Sequence, residues 1–179
     1  MNIIYTIGHS TRTIEEFIGI LQSYGIETVA DARTIAGSRR NPQYNKDELS
    51  RSLSRKNIGY IHCQGLGGLR HTTKDSINTA WRNTSFRGYA DYMQTEEFKE
   101  NIKRLIAVAE KNLTALMCAE AVPWRCHRSL IGDALLMRNI SVVDIMNEKS
   151  SKPHVLTPFA RIEADVITYP AEKSLLPGN

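Results

Sequence analysis

The chain has 179 residues and a formal net charge of +4 at pH 7; 41% of its residues are hydrophobic and 23% are charged. This is the length of one ordinary globular domain and the composition of a soluble protein. No apolar run approaches the ~20 residues that cross a bilayer, so we expect no association with a membrane. The mild positive charge favours an anionic ligand but is too small to indicate a nucleic-acid-binding surface by itself.

The amino-terminal residues include neither the basic region nor the apolar stretch of a signal peptide, so we expect a cytoplasmic protein. The three cysteines, Cys63, Cys118 and Cys126, cannot all pair within the chain. Because a domain of this size does not depend on disulfides, we expect all three to be reduced thiols.

The apolar residues follow alternating strand and helix patterns along the chain. From the amino terminus they predict a strand at residues 3–7, a helix at 13–24, a strand at 28–31, a helix at 45–56, a strand at 60–63, a helix at 89–93, a helix at 96–111, a strand at 113–117, a helix after residue 129, a strand at 141–146 and an edge strand at 166–169. Capping boxes at Thr13–Glu16 and Asn45–Glu48 predict where the first two helices begin, and Gly25 is placed to end the first. The glycine-rich residues 65–70 predict a flexible loop.

Strands that alternate with helices predict an α/β fold, in which a mostly parallel sheet is covered by helices on both faces. We expect a single-domain, three-layer sandwich over residues 1–179, with about five strands in its sheet. Ligands of such sheets bind at the carboxyl ends of the strands. The polar groups at those ends, which we expect to share one rim, are His9–Ser10, Asp31–Arg33, Cys63 and Cys118–Ser129.

Five groups of residues stand out together in chain order. They are Tyr5–Ser10; Asp31–Arg33 with Gly37–Pro42; Leu66–Arg70; Gly88–Met93; and Met117–Ser129. In this combination the chain resembles the domain of unknown function 488 (DUF488), a family of small bacterial and archaeal proteins. The resemblance implies an α/β domain with a family-like core at residues 3–146 and a C-terminal extension at 147–179, and it implies no reaction. Cys63 stands where the family more often has an apolar residue, so we do not expect it to share in any chemistry.

Cys118, in the segment 118–129, is the main candidate for chemistry. It ends a predicted strand close to a helix start and to Arg125, His127 and Arg128, whose positive charges favour a thiolate. That is the environment of a nucleophilic or redox cysteine. The alternative is that Cys118 is a small buried core residue, and Cys126 a packed thiol, since free cysteines are among the most buried residue types.

Two familiar kinds of site do not fit this segment. Cysteine phosphatases need Cys-x5-Arg, whereas Cys118 and Arg125 enclose six residues. A structural zinc site needs paired short spacings such as Cys-x2-Cys, and the sequence has none. We therefore predict no metal site and no cofactor.

The leading hypothesis is an enzyme, a hydrolase or a transferase, that binds a small anionic substrate such as a phosphate-bearing or nucleotide-like molecule. Proton transfer and nucleophilic attack are assigned to the catalytic candidates Glu120, His127, Cys118 and His9. Binding of the anion is assigned to Arg33, Arg39, Arg40, Arg128, Ser129 and Ser10. Two alternatives stay open: a nucleic-acid-binding or processing module, and a metal- or haem-binding protein. The sequence predicts no particular oligomeric state.

Overall fold

The computed structural model describes residues 3–171 of the chain. Within this range the strands are β1 (Ile3–Gly8), β2 (Thr28–Asp31), β3 (Gly59–His62), β4 (Thr114–Cys118), β5 (Ser141–Asn147), β6 (Ser150–Pro153), β7 (Arg161–Glu163) and β8 (Val166–Thr168). The helices are α1 (Ile14–Ser23), α2 (Lys46–Ser54), α3 (Thr84–Tyr92), α4 (Glu96–Ala109) and α5 (Arg128–Leu136). None of the helices in this range has the length and apolar composition needed to span a membrane.

Strands β1 to β6 form one sheet in the order β3-β2-β4-β1-β5-β6. Its neighbouring strands are parallel except for β5 and β6, which pair antiparallel. The predicted α/β fold with a mostly parallel sheet is therefore confirmed. Strand β6 was not predicted, because its sequence Ser-Ser-Lys-Pro has no apolar pattern. Strand β8 lies within the predicted edge strand at residues 166–169, but the edge placement is wrong, because β8 pairs with β7 in a separate hairpin.

Side chains of the central strands alternate between two cores, because successive residues of a strand point to opposite faces of a sheet. On one face, Ile4 and Leu116 pack with residues of α3, α4 and α5. On the other face, Ile7 and Met117 pack with residues of α1 and α2. The sheet is thus the middle of three layers, as the alternation of strands and helices predicted.

Local sequence signals set the start and the end of α1. The backbone N–H of Glu16 donates to Thr13 Oγ1 at 3.2 Å, and the backbone N–H of Thr13 donates to the Glu16 carboxylate at 2.9 Å, which completes the predicted capping box. Gly25 follows the helix with φ +66°, a conformation that glycine adopts without steric cost. The second predicted capping box is wrong, because the Asn45 side chain accepts a hydrogen bond from the backbone N–H of Ser38 at 2.7 Å and caps no N–H of α2.

The glycine-rich loop at residues 65–70 is anchored to α3 rather than free. Both tyrosines of α3 donate hydrogen bonds to its backbone: Tyr89 to the carbonyl of Leu66 at 2.9 Å, and Tyr92 to the carbonyl of Gly65 at 2.6 Å. The Leu66 side chain is fully buried in the core beside these rings. These contacts carry the following residues of the loop towards the ends of the strands.

The residues after β6 are joined to the core through a buried histidine. His154 Nε2 lies 3.1 Å from Asp133 Oδ1, and His154 Nδ1 lies 3.0 Å from Asp144 Oδ2. Tyr169 donates a hydrogen bond to the other oxygen of Asp133 at 2.9 Å. Burial alone would lower the pKa of His154, but the bonds to the two carboxylates raise that pKa to about 9. At neutral pH the histidine is therefore a buried cation between two anions.

Candidate functional site

A cavity of about 780 Å³ opens at the carboxyl ends of β1, β2 and β4. His9 follows β1, Arg33 follows β2, and Cys118 ends β4; all three line the cavity. Strand β4 lies between β1 and β2 in the sheet, so these three ends are neighbours. This is where a parallel sheet is expected to bind a ligand. Cys63, at the end of β3, does not line the cavity.

Two of the three cysteines meet at the wall of this cavity. Cys118 Sγ lies 2.6 Å from Cys126 Sγ, and both residues are buried. The backbone N–H of Arg128 donates to Cys126 Sγ at 3.5 Å, and His127 Nδ1 lies 3.5 Å from the same sulfur. Cys126 is therefore the sulfur on which three polar groups converge.

The pKa values of the two thiols are shifted in opposite directions. The hydrogen bond from Cys118 lowers the pKa of Cys126 well below its ordinary value, and His127 and Arg128 lower it further against the effect of burial. Burial raises the pKa of Cys118 well above its ordinary value. The Arg128 N–H and the His127 ring, which both contact the Cys126 sulfur, favour negative charge on that sulfur. The contacts thus make Cys126 the more acidic of the two thiols, beside Cys118, the predicted nucleophile.

His127 is held in one orientation beside this thiolate. Its Nε2 lies 3.1 Å from the carbonyl oxygen of Ala32, so Nε2 carries a hydrogen and Nδ1 faces Cys126. The ring also packs against Tyr89, with ring centroids 5.0 Å apart. Gly68 gives it room, because a Cβ at that position would lie 2.5 Å from Nδ1. The structure thus presents a cysteine–histidine pair whose imidazole is positioned by a backbone carbonyl.

Arg128 is buried beneath the cavity and is not one of its lining residues. Its Nη2 donates to the carbonyl of Glu120 at 2.9 Å, while Nε and Nη1 have no hydrogen-bond partner among residues 3–171. No carboxylate in that range forms an ion pair with it. A buried cation requires a counter-charge, and its positive charge acts on both Cys118 and Cys126. The Arg128 guanidinium is therefore a buried cation whose charge acts on the two sulfurs, and it does not line the cavity.

Replacement of this arginine should make the Cys126 thiol less acidic. In Arg128→Met the positive charge is lost, so we expect the pKa of Cys126 to rise and its alkylation profile to move to higher pH, about tenfold slower in the acidic limb for each pKa unit. The measurement is the rate of iodoacetamide modification of Cys126 as a function of pH, read by peptide mass spectrometry. Arg39→Met is the matched control, since Arg39 is exposed and lies outside the cavity. An alkylation profile identical to that of the unmodified chain would contradict the role of Arg128.

A second polar cluster, at the ends of β1 and β2, centres on Arg33. Its guanidinium is paired with Asp31, with Nε–Oδ1 and Nη2–Oδ2 distances of 2.8 and 2.6 Å. Tyr60 donates to the same carboxylate at 2.7 Å, and Arg33 also donates to the carbonyl of Tyr44 at 2.8 Å. Most of the hydrogen-bonding capacity of Arg33 is thus used inside the protein, and Nη1 is the part that faces His9.

His9 is a neutral imidazole. Burial lowers the pKa of His9 to about 4. Its Nδ1 donates to the carbonyl of Ser10 at 2.8 Å, which leaves the lone pair of Nε2 facing Arg33 Nη1 at 3.4 Å. The ring stacks on Tyr44, with centroids 4.0 Å apart and an angle of 14° between the planes. Ser10 itself lines the cavity in a left-handed conformation, φ +52°.

The remaining predicted residues are distributed differently. Glu120 lines the cavity, is exposed, and its carboxylate receives no hydrogen bond from residues 3–171. Ser129 donates to the carbonyl of Cys126 at 3.0 Å, so its hydroxyl holds the thiolate residue instead of facing a ligand. Arg39 and Arg40 are exposed and outside the cavity, because the loop that carries them turns back through the bond between Ser38 and Asn45.

Two residues that sequence reasoning left out of the site belong to its wall. Arg125 is exposed and lines the cavity; its charge was noted but only as an influence on Cys118. Cys126 was considered a packed thiol. The signal that pointed to both was their closeness to His127 in the sequence. Within residues 3–171, no group of three or more His, Cys, Asp or Glu side chains is arranged to hold a metal ion.

The family model described as "Domain of unknown function DUF488" matches residues 13–135 of the chain. The matched segment runs from the start of α1 into α5, so it contains the two close thiols and Arg128. No curated protein matches the chain, and no solved structure does.

Proposed function

This chain belongs to the DUF488 family, and because that membership assigns no reaction, we propose a function from the site itself: an enzyme that binds a small anionic substrate in the strand-end cavity and attacks it with the Cys126 thiolate. A hydrolase or a transferase would both use such a nucleophile, since each begins with transfer of a substrate group to the enzyme.

The observation that carries the proposal is the environment of the Cys126 sulfur. It lies 2.6 Å from the Cys118 sulfur and accepts a hydrogen bond from the backbone N–H of Arg128 at 3.5 Å, at the wall of an open cavity. The thiolate is the nucleophilic form of cysteine, and enzymes stabilise it with nearby cations and N–H groups. A packed structural thiol needs none of these partners.

Protonatable groups of the cavity wall complete the proposed chemistry. His127 Nδ1, 3.5 Å from the sulfur, is suited to exchange a proton with a leaving group once the sulfur has bonded to the substrate. Glu120 is a second group on the wall whose carboxylate is open to a ligand. His9 is neutral, and its two ring nitrogens already face the Ser10 carbonyl and Arg33 Nη1, so its role is to position Arg33 at the cavity wall.

The substrate class follows from the charge and shape of the cavity. Arg125 and the partly available guanidinium of Arg33 supply positive charge at its wall. Ile35 and Leu69 also line it and are each 70% exposed. An anion that carries an apolar or aromatic portion, such as a nucleotide, would use both kinds of surface.

Selective alkylation tests the nucleophile. At about pH 6, iodoacetamide is expected to modify Cys126 in the folded protein and to leave Cys63 unmodified, because burial raises the pKa of Cys63 to about 11. The sites are read by peptide mass spectrometry, with Cys126→Ser as the control that should abolish modification. Modification of Cys63 ahead of Cys126 would overturn the proposal.

Protection from alkylation tests the anion. Inorganic phosphate or a nucleoside monophosphate should slow modification of Cys126 in the unmodified chain and in Arg39→Gln. The same anions should protect Arg125→Gln much less, although both variants lose one positive charge. Equal protection of the two variants would mean that the anion does not bind at the cavity wall.

A further inference from the structure

We propose that Cys118 and Cys126 form a two-electron redox couple that reacts with small anionic disulfides. The inference rests on the proposed function in one respect, since it uses the Cys126 thiolate as the attacking group. It adds a second activity, in which Cys118 takes part in the chemistry and the product is a disulfide within the protein. It also replaces the expectation that all three cysteines stay reduced.

The first argument is distance. Sulfur atoms in a disulfide are about 2.05 Å apart, and Cys118 Sγ and Cys126 Sγ are already 2.6 Å apart while both are free thiols. The two sulfurs are therefore direct neighbours, as the formation of a disulfide between them requires. Cys63 is not part of this contact and packs instead against the core on one face of the sheet.

The second argument is that the backbone holds both cysteines in this position. Cys118 is fixed by β4, and its carbonyl accepts a hydrogen bond from the backbone N–H of His9 at 2.9 Å. The backbone N–H of Cys126 donates to the carbonyl of Pro123 at 2.9 Å, and Ser129 binds the Cys126 carbonyl. Between the two cysteines, residues Pro123–Arg125 form one 3-10 turn that leads directly into Cys126.

The third argument is that the two sulfurs are suited to different roles, one as the attacking and the other as the resolving cysteine. Thiol–disulfide exchange needs one thiolate that attacks and a second thiol that resolves the mixed disulfide. Cys126 has the charge-stabilising partners, the Arg128 N–H and His127, and Cys118 lies next to it as the second thiol. Both cysteines are buried: 4% of the surface of Cys126 and 1% of that of Cys118 is exposed. Both line the cavity, which is therefore the route to their sulfurs. The geometry thus favours a small reagent over a protein disulfide, and Arg125 on the wall favours an anionic one.

The exchange is balanced without any further reagent. The Cys126 thiolate attacks one sulfur of the small disulfide, forms a mixed disulfide and releases one thiolate. The Cys118 thiol then attacks the Cys126 sulfur, the Cys118–Cys126 bond forms, and the second small thiolate leaves with the proton of Cys118. The small disulfide is reduced by two electrons and the two cysteines are oxidised.

Glutathione disulfide, which is anionic, and cystamine, which is cationic, are the probes. With glutathione disulfide, the unmodified chain and Cys63→Ser should each lose two free thiols and carry an internal disulfide between residues 118 and 126. Cys118→Ser should stop at a stable mixed disulfide on Cys126, and Cys126→Ser should form neither product. Cystamine should react more slowly than glutathione disulfide, and Arg125→Gln should reduce the ratio of the two rates. Circular dichroism of each variant verifies that it is folded.

Each outcome decides between the two proposals. If Cys126 is alkylated at about pH 6 but its mixed disulfide with glutathione is never resolved by Cys118, the redox couple is wrong and the nucleophile stands. If Cys126 forms neither an alkylated product nor a mixed disulfide, the nucleophile is wrong as well.

In Arg128→Met the loss of the thiolate's counter-charge should shift the exchange equilibrium towards the protein disulfide by about tenfold or more, because the reduced state loses its stabilising cation. An equilibrium that does not move would overturn the link between Arg128 and the couple.

Discussion

Gly8→Ala is expected to destabilise the protein by about 3 kcal/mol or more and to displace the thiolate, because the new methyl group overlaps the backbone of the site. A Cβ on Gly8 would lie 1.7 Å from the carbonyl oxygen of Glu120 and 2.6 Å from its carbonyl carbon. These are backbone atoms, so no change of rotamer relieves the overlap. The Glu120 carbonyl is also the group that Arg128 holds at 2.9 Å, and the loop must therefore move away from its anchor.

The matched control for this substitution is Gly19→Ala. Gly19 lies within α1, and a Cβ there would meet only the carboxylate oxygen of Glu148 at 3.1 Å, the end of a flexible side chain. Alanine in a helix is favoured over glycine, so we expect the control to be neutral or slightly stabilising. Denaturant unfolding measures both effects, and the alkylation rate of Cys126 reports the thiolate. A stable Gly8→Ala protein with normal alkylation would mean that β1 and the Glu120 loop do not approach as described.

The buried histidine of the extension should make stability depend on alkaline pH. The pKa of His154 is raised to about 9 in the folded state, above its ordinary value of 6.5. Its contribution is therefore complete below about pH 6.5 and is lost as pH rises through 9, and by linkage it amounts to about 3 kcal/mol. The Asp133 and Asp144 carboxylates and the Tyr169 hydroxyl are the groups that face this ring network.

Cys126 acts in the opposite direction over the same range, because the pKa of its thiol is lowered in the folded state and its contribution grows with pH. The effect of His154 is therefore measured as a difference: the unfolding free energy of the unmodified chain minus that of His154→Gln, at about pH 6.5 and at about pH 9.5. We expect this difference to shrink by about 3 kcal/mol as pH rises. A difference that stays constant across the range would mean that His154 is not a cation in the folded protein.

The periodicity of apolar residues predicted the layers of the fold well, for a physical reason. Ile4 and Ile7 lie in different cores because strand residues alternate, and that alternation is present in the sequence. The order of the strands was not predictable in the same way. Insertion of β4 between β1 and β2 is decided by packing between segments far apart in the chain. The local pattern of apolar residues contains no information on that packing.

The sequence pointed to the segment that lines the cavity, but it did not show that Cys126 lies beside Cys118 at the wall. Seven residues separate Cys118 from Cys126, between the end of a strand and the start of a helix, and nothing in that spacing shows that the two sulfurs meet. Arg128 was expected to face a ligand because it begins a helix. Its inward direction depends on the carbonyl of Glu120, a backbone group that carries no sequence signal.

Helix α5 connects the thiolate to the extension at the C-terminal side of the chain. Arg128 is its first residue and Asp133, which binds His154 and Tyr169, is its sixth; the two are about 7.5 Å apart along the axis. Because both residues belong to one short helix, a displacement of the extension that shifted Asp133 would also shift Arg128, beside the two sulfurs. His154 and Tyr169 lie outside the segment that the family model matches. Members of one family that share every residue around the thiols but differ in this extension would accordingly differ in the reactivity of the same cysteine.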